Sequence, residues 1–375
     1  MDKKIWLSSP HMGGKERDFV SEAFDTNWIA PLGPNVNGFE SDIQSYLDAE
    51  VHVAALSSGT AAIHLGLQLL GVESGDEVIC QSFTFSASAN PILYLSAIPV
   101  FVDSEKDTWN MCPTLLEEAI RDRISKGKKP KAIIAVHLYG MPYKVDEINA
   151  VAKKYAIPVL EDSAEALGST YKGVKCGTFA DISILSFNGN KIITTSGGGA
   201  LVSHQKEDKE KAIFFSTQSR DNAPHYQHSE IGYNYRMSNV LAGIGRGQML
   251  VLDTRVAARR NNYKRYFDAL SPKKEFTFLD EPQESFSNRW LSCLLTSSYN
   301  IRENIRLKLE KENIETRPLW KPMHLQPVFS KYPSYVNGTS EALFNKGLCL
   351  PSGSNLTEDD VSKVIYHIKN CLENA

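Results

Sequence analysis

The sequence predicts an α/β protein in two parts, a large domain over residues 1–250 with a mainly parallel mixed sheet between helices, and a smaller α+β domain over residues 251–375. Three observations predict it. At 375 residues the chain exceeds one ordinary core and falls short of several. Between about residues 50 and 205, short apolar runs alternate with stretches of helical spacing. After Leu250 the composition shifts to the basic stretch DTRVAARRNNYKRYFDAL, which reads as a long amphipathic helix leaving the first domain.

Taken in order, the first 40 residues hold one helix and a Pro/Gly-punctuated segment, NWIAPLGPNVNGF, expected to fold back onto the large domain. The runs VHVAAL, EVIC, IPVFVD, AIIAVHLYG, IPVLED and DISILSF are rich in β-branched residues and bounded by Gly, Pro or Asp, as strands are. Apolar residues at consecutive positions imply cover on both faces, hence a mainly parallel sheet with crossover helices such as VDEINAVAKKYA. NVLAGIGRGQMLVL places Gly243, Gly245 and Gly247 in a helical pattern, which implies close helix contact and counts in favour of dimerisation. In the second domain, NRWLSCLL is strand-like, and Thr357 caps the helix TEDDVSKVIYHIKNCLE, with acids in its first turn.

A net charge of -3 gives no pull toward nucleic acid or acidic lipid. No apolar run has signal-peptide or membrane-span length, so a cytoplasmic protein is the expectation. The six cysteines are scattered without a CxxC pair and read as buried thiols in a reducing compartment. The closest histidine pair, His225 and His228, has no ligand cluster around it, and no metal is expected.

Three features fall near strand ends, where open parallel sheets collect ligands. Ser58-Gly59-Thr60 joins a strand to a helix N-terminus, which favours anions, although a plain N-cap explains it equally well. Asp162 ends the apolar strand IPVLED, where an ionised carboxylate needs a compensating partner or serves as a cap. SFNGNKIITTSGGGAL isolates Lys191 among small residues after Ser186. The glycine spacing does not fit a phosphate loop, so nucleotide triphosphate hydrolysis is disfavoured. Together the features describe pyridoxal 5′-phosphate, which needs an amine for its aldehyde, an acid for its ring nitrogen, an anion cradle and a flat partner for its ring. Lys191, Asp162, the Ser58-Gly59-Thr60 turn with Ser186, and an aromatic of QSFTFSASAN supply them.

Over essentially its whole length the chain resembles the DegT/DnrJ/EryC1/StrS sugar aminotransferases, a branch of the fold-type I pyridoxal-phosphate enzymes. The residues that carry the resemblance are SSGTAAIHLGL, FTFSASANPILYLSAIPVFVD, HLYGMP, EDSAEALG, SFNGNKIITTSGGGAL and GYNYRMSNVLAGIGRGQ. Within the family it is most similar to the 4-aminotransferases that form UDP-N-acetylbacillosamine, through SPHMGG, ETRPLWKPMH and CLPSGS. The resemblance implies that Lys191 holds the cofactor covalently and shuttles the proton, Asp162 keeps the ring nitrogen protonated, and Phe85 stacks on the ring. Ser58, Gly59, Thr60 and Ser186 would hold the phosphate, with Asn188 nearby and Asn234 reaching in from the partner subunit of a homodimer. Glu165 stands where relatives often carry Gln or His.

The implied reaction moves the amino group of L-glutamate to C4 of a UDP-4-keto-6-deoxy-N-acetylhexosamine. A dianionic nucleotide sugar calls for cations and aromatics, and Trp28, Ile29, Ala30, Pro31, Arg236, Arg317, Trp320 and His324 are the candidates. The alternatives are another nucleotide-linked 3- or 4-keto sugar and a non-catalytic cofactor-binding regulator. Sugar 3-dehydration, for which relatives carry histidine in place of the lysine, is disfavoured by Lys191.

Overall fold

The structure, a computed structural model, describes residues 3–373. Eight strands form the central sheet, edge to edge His52–Leu56, Gly199–Ser203, Ile182–Ser186, Val159–Asp162, Ala132–Val136, Glu77–Gln81, Ile98–Val102 and Ser334–Tyr335. All but Gly199–Ser203 run in one sense. Consecutive apolar positions do serve two faces. Ile134 packs with Ile63, Leu65 and Leu160 beneath the helix Gly59–Leu69, whereas Ile133 packs with Leu116, Ile120 and Ile148 beneath Pro113–Ser125 and Val145–Tyr155. Each such side chain contributes roughly 1.5–3 kcal/mol by leaving water, so the sheet is the stable platform under the site. AIIAVHLYG is not a strand to its end. The strand stops at Val136, and Leu138–Gly140 makes a 3-10 turn with Tyr139 at φ 55°.

The N-terminal segment holds a second helix, Pro34–Leu47, besides Glu16–Asp25. It begins inside the stretch expected to be irregular, because a proline in the first turn costs the helix no hydrogen bond. Both helices pack on Asn239–Met249, whose glycines make the contact possible. A Cβ at Gly245 would lie 2.7 Å from the Phe39 ring, and one at Gly247 would lie 2.6 Å from the Glu16 backbone nitrogen. The close helix contact is therefore within this chain, and the glycines are no evidence of a dimer.

The C-terminal part has a four-stranded antiparallel sheet, Phe276–Phe278, Ser292–Thr296, Gly347–Leu350 and Arg317–Pro318. Helices Leu252–Leu270, Tyr299–Lys311 and Glu358–Glu373 pack around Leu294, Ile305, Leu348 and Val364. Thr357 caps the last helix reciprocally. Its Oγ1 accepts from the Asp360 N–H at 3.1 Å while Asp360 accepts from the Thr357 N–H at 3.0 Å. The chain crosses the expected boundary at residue 250 in both directions. Ser334–Tyr335 adds the outer strand beside Ile98–Val102, Met323 and Phe329 enter the large core, and Ile5 pairs with Ile314. Among the described residues no helix is long and apolar enough to cross a membrane.

Candidate active site

At the C-terminal ends of the central strands lies a cavity of about 310 Å³ lined from several segments. Asp162 ends its strand at the cavity wall and is 4 % exposed. Its Oδ2 accepts from Ser88 Oγ at 2.6 Å, Ser88 is itself 2.9 Å from Thr84 Oγ1, and its Oδ1 accepts from the Ala164 N–H at 3.1 Å. These bonds fix the carboxylate in direction, and its lone pairs leave room for one more donor from the cavity.

Lys191 enters from the irregular segment after Ser186. Its Nζ lies 3.4 Å from Glu165 Oε1 and 4.3 Å from the centre of the Trp290 ring. Glu165 Oε2 accepts from the Tyr139 N–H at 2.7 Å. Burial pushes the Glu165 carboxyl above the usual range, against the pull of the Lys191 ammonium.

The opposite end is built for an anion. Ser58 caps the helix Gly59–Leu69, its Oγ accepting from the Ala61 N–H at 3.0 Å, so the first free N–H groups and Thr60 face the cavity. Ser186 closes against this turn, since a Cβ on Gly59 would lie 3.0 Å from Ser186 Cβ. Gly199 has a related job. A Cβ there would meet the Ser58 carbonyl carbon at 2.3 Å, so this glycine lets the strand pass the anion turn, while Gly197 borders open space. Phe85 and Trp320 form the mouth, ring centres 5.7 Å apart.

Of the expected site residues, the cavity brings together Ser58, Gly59, Thr60, Phe85, Asp162, Glu165, Ser186, Asn188, Lys191 and Trp320. The others lie elsewhere. Arg236 is held by Glu40, at 2.5 Å, and by the Ala55 carbonyl, so its charge is satisfied in the interior. Arg317 is exposed and pairs with Glu315 at 3.0 Å. His324 is fixed between Ser82 Oγ at 2.6 Å and Glu341 at 3.2 Å. Trp28, Ile29, Ala30 and Pro31 are exposed, their backbone tied to Asn239 through the Trp28 and Ala30 carbonyls. Asn234 is exposed on a segment bridged to Thr217 and does not line this chain's cavity.

The sequence reading missed Thr84, Ser88 and Trp290. Ser88 has a local signal, since it follows Thr84 by one helical turn at the start of Ser86–Tyr94. Trp290 has none, because a fold contact alone brings it to Lys191.

Two other places gather polar side chains. A groove of about 760 Å³ between Lys106–Trp109, Tyr143 and Asp280–Gln283 is larger, but its Lys144 is already paired with Glu105 at 3.3 Å and Asp107 at 2.5 Å. His137, Glu161 and Cys176 offer ligand atoms within 4.8 Å of one another. Glu161 is already saturated. Its Oε1 accepts from His137 Nε2, Ser163 Oγ and the Gly177 N–H, and its Oε2 from the Phe179 N–H and Ser183 Oγ. Burial pushes the Cys176 thiol well up, so this cluster braces the strand that carries Asp162.

A family model described as the DegT/DnrJ/EryC1/StrS aminotransferase family matches residues 10–369. EpsN of Bacillus subtilis, assigned as a pyridoxal phosphate-dependent aminotransferase, is 54 % identical over 100 % of this chain and 98 % of its own. The GDP-perosamine synthase of Escherichia coli O157:H7 is 38 % identical over 96 % of each chain. Among solved structures, Spr1654 of Streptococcus pneumoniae, assigned as a sugar aminotransferase and solved in its PLP form, superposes with a TM-score of 0.91 at 27 % identity over 99 % of both chains.

Proposed function

The chain belongs to the DegT/DnrJ/EryC1/StrS aminotransferase family, and from that premise we propose that it moves the amino group of L-glutamate to C4 of a UDP-4-keto-6-deoxy-N-acetylhexosamine. Its cofactor is pyridoxal 5′-phosphate, which when bound supplies the aldehyde that takes up the amino group and the ring that spreads the negative charge of the reacting carbon. The residues present fit that group. An amine, a carboxylate with a lone pair to spare and a capped helix N-terminus converge on one cavity of about 310 Å³, and this convergence carries the proposal.

Lys191 would take the proton from the α-carbon of the amino donor in the first half of the reaction and, in the second half, give a proton to C4 of the acceptor sugar. Asp162, oriented by Ser88, would hold the proton on the ring nitrogen through a charge-assisted hydrogen bond. Thr60, Ser186 and the helix N-terminus would bind the phosphate. Trp290 and Trp320 would keep water from the reacting amine. Asn234, exposed and outside its own cavity, supports a homodimer in which each subunit lends this residue to the other.

The 38 % identity to a GDP-perosamine synthase supports a second reading, in which the keto-sugar is carried by GDP. One experiment tests both. The purified chain is incubated with PLP, glutamate and a panel of UDP-, GDP- and dTDP-linked 3- and 4-keto sugars, and the product is identified by mass and NMR. Amination at C4 of the UDP-N-acetyl sugar is the expected result. Amination of the GDP sugar alone replaces the first reading with the second. PLP binding with no amino sugar formed from any acceptor in the panel counts against both readings and favours the regulator.

A further inference from the structure

Residues 187–198 belong to no strand or helix, so no ladder holds Lys191 in direction. Besides the turn bond from the Lys191 N–H to the Asn188 carbonyl at 3.0 Å, side chains from three distant segments hold its backbone. The Asn190 carbonyl accepts from Ser8 Oγ at 2.7 Å and from Trp290 Nε1 at 2.8 Å. The Lys191 carbonyl accepts from Arg259 Nη2 at 3.3 Å. The same guanidinium donates to Ser8 Oγ at 2.9 Å and to the Trp290 carbonyl at 2.6 Å. Arg259 therefore joins the N-terminal segment, the lysine segment and the residue whose ring covers the amine.

The cost of this arrangement shows what it is for. Arg259 is 1 % exposed, and among the described residues no carboxylate pairs with it. Desolvating a guanidinium that has no carboxylate partner is costly even where two carbonyls and a hydroxyl accept its hydrogen bonds. Burial, with Arg255 beside it, pulls its pKa down to about 9, which leaves it protonated at neutral pH. A methionine or leucine would fill the volume without that cost. What only arginine supplies here is a rigid fork of donors that reaches two carbonyls and a hydroxyl at once.

We propose that Arg259 is a positioning residue for Lys191, setting through the carbonyls of residues 191 and 290 and through Ser8 the direction in which the amine enters the cavity. The proposal rests on the reading of Lys191 as the reacting amine.

Arg259→Lys keeps the charge and loses the fork. The rate at which added PLP becomes linked to Lys191 is followed by borohydride trapping and peptide mapping, alongside kcat and KM for glutamate, at temperatures where each protein is fully folded. The linkage rate and kcat should fall about ten- to a hundredfold, the scale of a misplacement near 1 Å. KM for glutamate should stay within about twofold, because ground-state binding is untouched. Ser8→Ala, at a half-exposed position outside the cavity, should shift the same two quantities in the same direction by less. A variant that links PLP and turns over at the wild-type rate overturns the proposal, as does one in which KM and kcat worsen alike. Should Arg259→Lys not fold, Ser8→Ala decides by the same criteria. Wild-type protein that fails to link PLP to Lys191 refutes the functional reading, whereas a wild-type protein that links it and variants that match it refute only the positioning role.

Discussion

On the proposed reading Lys191 and Asp162 do different chemistry, so their removal should fail differently. Lys191 is the only amine that lines the cavity among the described residues, and Lys191→Ala should leave no measurable amino transfer while the cavity still takes up cofactor through its anion end. Asp162→Asn keeps the shape and the Ser88 contact but removes the charge that holds a proton in place. A hydrogen bond to a charged group contributes about 1.5–3 kcal/mol, so the rate should fall roughly ten- to a hundredfold. Stopped-flow absorbance of the glutamate half-reaction, set beside equilibrium binding of PLP, separates the two effects. A loss of affinity as large as the loss of rate would assign Asp162 to binding alone. Both residues were legible because each stands in a contiguous motif at a strand end. Arg236 and His324 lie outside the cavity for the opposite reason, since each is paired with a residue distant in sequence, Glu40 and Glu341, and nothing local shows that pairing.

At the scale of elements, the strand Val159–Asp162 points Asp162 at the cavity and Glu161 at the opposite side, into a nest of donors. The His137 ring accepts from the Tyr143 N–H at Nδ1, which leaves Nε2–H to donate to Glu161. Burial alone pushes the Glu161 carboxyl up, but the His137 bond and the Gly177 and Phe179 N–H groups bring it below the usual range. A depressed carboxyl stabilises the fold above its unfolded pKa of about 4.3, and that stability is lost as pH falls through the folded pKa. Glu161→Gln should cost about 3 kcal/mol at neutral pH and flatten the fall in melting temperature below about pH 4. Equal acid sensitivity in wild type and variant, measured by calorimetry, would remove Glu161 from the account. The helix Asn239–Met249 makes a second element prediction. Gly247→Ala places a methyl 2.6 Å from the Glu16 backbone and should destabilise by about 1–3 kcal/mol, read from urea midpoints, despite alanine's better helix propensity. Six of the central sheet's seven strands of four or five residues were legible because burial on both faces leaves an unbroken apolar run; Gly199–Ser203 was not, since it starts directly from the glycines that read as a turn. Ser334–Tyr335 was not, since two residues at a sheet edge carry no periodicity.

In the whole molecule, the site is not the property of the large domain in which its motifs lie. The N-terminal 250 residues contain Lys191, Asp162 and the anion turn, and sequence reasoning places the boundary just after them. The folded chain completes that half from beyond the boundary. Ser334–Tyr335 covers the edge of Ile98–Val102, Phe329 fills the core against Phe101, Trp290 covers the lysine, and Arg259 holds its backbone. A fragment of residues 1–250 would expose an apolar strand edge, which invites pairing between chains, and would leave the lysine segment without the donors that fix it. It should therefore appear in the insoluble fraction on expression, and any soluble part should link PLP far more slowly than the full chain. Adding residues 251–375 as a separate polypeptide during refolding should restore solubility and PLP linkage together, because one set of contacts serves both. A soluble 1–250 fragment that links PLP at the full-chain rate would show that the C-terminal residues contribute neither.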